Sequence, residues 1–120
     1  MDITQVRKKF GPAVRDIILS CRVTEDFVDK DMFRVYLATI WGNAVLDPAH
    51  SGIDESDLPQ LHDYLNEEIA RMLGEGQDLT RCYEYLVSQE GEDSLTRLQV
   101  TARHKEFLFY FARLILSTAV

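Results

Sequence analysis

The chain of 120 residues has little of what usually specialises a small protein: two cysteines, three prolines, six glycines and one tryptophan. Two cysteines without a Cys-x-x-Cys spacing exclude a disulfide framework and a paired redox motif. No apolar run approaches the roughly 20 residues a transmembrane helix needs. The longest candidate, from Phe107 to Val120, is broken by Arg113. Near the start, Arg7, Lys8 and Lys9 precede the stretch Ala13 to Cys21, but Arg15 and Asp16 interrupt it. A secretory signal is therefore not expected. The expected setting is the cytoplasm, with Cys21 and Cys82 as buried thiols on apolar helix faces.

Positive charge is also scarce. Thirteen Lys and Arg stand against 20 Asp and Glu, a formal charge of −7, and no Lys or Arg occurs from Val35 to Ala70. A general nucleic-acid binder is excluded, because phosphate contact needs concentrated positive charge. The acidity is concentrated in residues 35–93, which carry −11, while residues 1–34 carry +1 and residues 94–120 carry +3. Three uses are open for that stretch: a solvated face, a surface for the chain's own basic helices, or a docking surface for a basic partner protein.

Catalytic motifs are missing as well. There is no His-Glu-x-x-His, no Gly-x-x-x-x-Gly-Lys-Ser/Thr loop, no Gly-x-Ser-x-Gly elbow and no Glu-x-x-His pair for a bundle di-metal centre. Cys21, Cys82 and Ser51 have no base placed beside them by sequence. The expectation is a protein without enzymatic activity and without a cofactor. His50, His62 and His104 are the only histidines. His62 borders the apolar stripe of its helix, and His104 stands beside Lys105 with no phosphotransfer sequence after it. The one alternative site is the loop 47–57, where Asp47, His50 and Asp54 offer oxygen and imidazole ligands for a metal or small ligand.

What the sequence does contain is helical periodicity along most of its length. After Val6 and Phe10, Gly11-Pro12 is expected to end or kink an opening turn, and Val14, Ile17, Ile18 and Cys21 follow at helical spacing. Thr24 with Glu25 and Asp26 predicts the start of a second helix, burying Phe33, Tyr36, Leu37, Ile40 and Ala44 and stopping before Asp47-Pro48. Ser56 is the expected cap of a third helix carrying Leu58, Leu61, Leu65, Ile69, Met72 and Leu73, ended by Gly74 and Gly76. Asp78 opens a fourth, with Leu79, Cys82, Tyr83, Leu86 and Val87. Ser94 opens a last helix to about Ser117. The expected fold is all-α: one domain over residues 1–120, a compact antiparallel bundle of about five helices.

The last helix is greasy on two sides. Leu95, Leu98, Ala102, Phe109, Ala112 and Leu116 share one face, and Val100, Phe107, Phe111 and Leu114 lie nearly opposite. A surface helix needs only one apolar stripe. Either the other helices wrap this one, or its second face meets another polypeptide. The second reading makes Val100, Phe107, Phe111 and Leu114 an interface with Trp41 as a further anchor, and Phe27 and Phe10 as secondary ones. Its commonest form is a two-fold homodimer. The function expected is thus protein–protein interaction of an adaptor, chaperone or inhibitor kind.

Overall fold

Helix α1 (Ile3–Cys21) begins in a reciprocal cap: Gln5 N donates to Asp2 Oδ1 and Asp2 N donates to Gln5 Oε1, both at 2.9 Å. The computed structural model describes residues 2–24, 27–88, 110 and 112–117. The break expected at Gly11-Pro12 is not there, and α1 runs through both residues. Pro12 is exposed, and Val6 and Val14 on either side are both buried in the same core, so packing of the flanking turns holds the helix together across the missing backbone bond.

A second difference follows at once. Thr24 does not open a helix; Arg22–Thr24 (β1) and Phe27–Val28 (β2) form a small antiparallel ribbon, with Arg22 opposite Val28 and Thr24 opposite Phe27. The ribbon is closed where Asp29 N donates to Cys21 O at 2.6 Å. Extended backbone suits the β-branched and aromatic residues here, and strands of three and two residues are too short to leave a period of two in the sequence. The helix start moves to Asp29, whose carboxylate accepts from Met32 N at 3.0 Å and caps α2 (Lys30–Leu46).

The central helix of the described bundle is α2. Its buried residues Phe33, Val35, Leu37, Ala38, Gly42 and Ala44 are spread over two sides, and it packs against α1 and against the two helices that follow. Tyr36, expected in the core, is instead exposed, because Val35 and Leu37 take the two inward directions beside it. The helix stops before Asp47-Pro48 as expected, with Asp47 N donating to Asn43 O at 3.0 Å. The following loop is tied back to α1 by Lys9, whose ammonium donates to the Gly52 carbonyl.

A 3-10 turn (Glu55–Asp57) leads into α3 (Leu58–Leu73). Ser56 lies inside that turn and is not the cap; Asp57 holds the cap position with no side-chain capping bond, and its N–H donates to Asp54 O at 2.9 Å. Pro59 occupies the first turn of α3, and Leu61, Tyr64, Leu65 and Ile69 are buried. Gly74 ends the helix at φ +108°, a backbone conformation that favours glycine. Helix α4 (Leu79–Ser88) opens as expected on Asp78, which accepts from Arg81 N at 2.9 Å, and buries Leu79, Cys82, Tyr83 and Leu86. Residues 112–117 are helical, and the rest of the expected last helix lies outside the described residues except Tyr110. One apolar cluster joins α1, α2, α3, α4, Ala112 and Ile115. The fold is an all-α bundle with a two-stranded ribbon inserted between its first two helices. No helix among the described residues is long and apolar enough to cross a membrane.

Candidate functional site

The C-terminal segment is anchored by two side chains. Ala112 is fully buried and Ile115 nearly so, whereas Leu114 and Leu116 are half-buried and Tyr110, Arg113 and Ser117 are exposed. Ile115 comes down beside Gly42 of α2, where its Cδ1 lies 3.8 Å from the position a glycine Cβ would take. Ile115 and Leu116 close one side of a cleft of about 210 Å³ whose other walls include Trp41, Val45, His62 and Tyr83. At about 100° per residue, Leu114 is turned well away from both Ala112 and Ile115. The face used by the bundle's own core is therefore the Ala112–Ile115 face.

The structure brings only part of the expected surface together. Val100, Phe107 and Phe111 lie outside the described residues, leaving Leu114 and Trp41. Trp41 is half-buried and meets the His62 ring edge-on, with centroids 5.1 Å apart and planes at 63°. It belongs to the cleft under Ile115 and Leu116, not to the side on which Leu114 sits. Phe10 is half-buried and packed on the core, and Phe27 belongs to β2, where only the backbone is described.

His62 has a structural neighbourhood that the sequence did not reveal. Asn66 Nδ2 donates to its ring, 3.3 Å from Nδ1, and Asn66 Oδ1 accepts from Leu79 N at 2.8 Å. One amide thus links the middle of α3 to the exposed donors at the start of α4. The residues are four and 13 positions apart, and only the folded helix pair brings the second contact about.

In the loop 47–57, two of the three candidate ligands meet. His50 Nδ1 lies 2.9 Å from Asp47 Oδ2, and His50 N donates to Asp47 Oδ1 at 3.2 Å. Both side chains are exposed, and the arrangement is that of an aspartate stabilising its own turn. Asp54 stands apart, lining a shallow hollow with Ala49, Ile53 and Asp57. Among the described residues no group of three or more His, Cys, Asp or Glu side chains is placed to hold a metal ion.

Cys21 and Cys82 are free and buried. Burial, reinforced by the Asp29 carboxylate, pushes the Cys21 thiol up to about 11. Burial also pushes Cys82 up to about 12, against the opposing pull of Arg34. Both are protonated thiols near neutral pH, unsuited to nucleophilic attack. Beside Cys82, Tyr83 donates its hydroxyl to Ala38 O at 2.5 Å, and burial raises its pKa as well.

The charge pattern has one visible counterpart in the fold. Arg7 of α1 pairs with Glu67 of α3, so the basic first helix lies beside part of the acidic middle. Three further arginine–carboxylate pairs are local: Arg34–Asp31, Arg71–Glu68 and Arg81–Glu84 each join residues three apart. No family model matches the chain, and neither a curated protein nor a solved structure matches it.

Proposed function

We propose that this protein is a non-enzymatic interaction module of the cytoplasm that pairs with a second copy of itself through its C-terminal helix. The observation that supports this reading is the register of residues 112–117. Ala112 and Ile115 occupy the bundle's core, and Leu114, a member of the second apolar stripe, is turned off that face and only half-buried. The sequence puts Val100, Phe107 and Phe111 on the stripe of Leu114. The role of a helix wrapped by its neighbours is filled by α2, whose inward residues cover two sides. A patch of four large apolar side chains contributes several kcal/mol at roughly 25 cal/mol per Å², against which the costs of association are set.

The mechanism is burial of that stripe against its symmetry mate. A charge on the stripe tests it. Phe111→Glu is expected to yield a monomer by light scattering while circular dichroism retains the helical signal. Loss of the helical signal would put Phe111 in the bundle's own core and remove the basis of the reading.

A further inference from the structure

On the opposite side of α2's partners, α1 and α3 enclose a groove of about 500 Å³, within the range of small-molecule sites. Its lining includes one tyrosine. Tyr64 is only 6% exposed and contributes to the groove's lining. The hydroxyl opens beside Gly11, whose missing side chain deepens the groove. Nothing in the chain requires glycine there: a Cβ would sit 3.7 Å from the Tyr64 oxygen, an ordinary contact.

The walls carry three guanidinium groups, from Arg7, Arg15 and Arg71. Arg71 is one of only two basic residues in the strongly acidic stretch 35–93. Glu67 binds Arg7 and Glu68 binds Arg71, which neutralises both carboxylates and steadies both guanidiniums. A guanidinium has five donors, so each retains some to offer. The Arg15 side chain has no hydrogen bond or ion pair among the described residues, and it carries the uncompensated charge of the groove. Burial, with the nearby Glu68, raises the Tyr64 pKa against the pull of the three arginines, so the hydroxyl keeps its proton and acts as a donor.

We infer that the α1/α3 groove binds the phosphate group of a small phosphate ester, held by Arg15, Arg71 and the Tyr64 hydroxyl. Three donor groups of this kind suit the three free oxygens of a phosphate better than the two of a carboxylate, and planar guanidinium forks are apt partners for them. The groove is larger than inorganic phosphate needs, which leaves room for the organic part of the ester. This site is separate from the C-terminal helix and stands or falls independently of self-association.

The test is an NMR titration of the full chain with inorganic phosphate, followed at the backbone amides of α1 and α3, with acetate as a parallel arm. Saturable shifts centred on Arg15 and Tyr64 are expected in millimolar phosphate, with acetate showing no saturation over the same range. Arg15→Gln, at an exposed position, is expected to weaken phosphate binding about tenfold or more, and Tyr64→Phe several-fold. Absence of saturation, equal affinity for acetate, or unchanged affinity in Arg15→Gln would each overturn the inference.

Discussion

Gly42 and Gly11 both stand inside helices, where glycine costs about 1 kcal/mol relative to alanine, but they stand there for opposite reasons. A Cβ on Gly42 would lie 2.9 Å from the Tyr83 oxygen, which is fixed by its bond to Ala38 O inside the core. Gly42→Ala must therefore displace a buried tyrosine, and a loss of about 1–3 kcal/mol is expected in urea unfolding. At Gly11 the same substitution meets only ordinary contact, and a gain of about 0.4–1 kcal/mol is expected. A destabilising Gly11→Ala or a neutral Gly42→Ala would contradict the packing described around these two positions. Neither role was legible in the sequence, where each glycine is simply a weak helix former. The difference lies in what approaches from another helix. Tyr36 makes the same point: helical spacing nominated it for the core, and only the three-way packing of α2 shows that Val35 and Leu37 occupy the inward directions.

At the scale of the element, α3 and α4 were the most legible parts of the chain. Leu61, Leu65 and Ile69 keep one helical face, and Asp78 caps α4 where its spacing from the first apolar residue says it should. Local signals sufficed because each helix buries a single stripe. The start of α2 was misplaced for an equally local reason. Thr24 and Asp29 are both good caps, and the choice between them is made by the ribbon of β1 and β2, a contact within the folded backbone. With Asp29 as the cap, Asp29→Ala is expected to cost about 1 kcal/mol in stability, while Thr24→Ala has no capping loss to show. Equal losses at the two positions in thermal unfolding would return the helix start to Thr24. The candidate loop site was legible only in part: Asp47 and His50 meet because they flank one turn, and Asp54 follows the chain away into the next.

For the whole molecule, the buried thiols and tyrosines set a limit at high pH. Cys21 and Cys82 ionise near 9 when unfolded, but only at about 11 and about 12 in the fold. Below pH 9 both states hold these protons and stability is unaffected; above it the unfolded chain releases them first, so stability falls as pH rises. Tyr64 and Tyr83, also raised, extend the fall above pH 10. Urea midpoints are expected to decline steadily above pH 9, and Cys82→Ala is expected to make that decline shallower. A midpoint constant up to pH 11 would mean that these groups are open to solvent.

The larger question at this scale is the second apolar stripe of the C-terminal helix, which the sequence showed as a pattern but could not assign to core or interface. The position of Ala112 and Ile115 in the core, with Leu114 turned aside, is what gives the pattern its direction. Light scattering on the purified chain tests this most directly: the account predicts the mass of two chains, falling toward one on dilution or in Leu114→Glu, whereas the mass of a single chain at every concentration would contradict it.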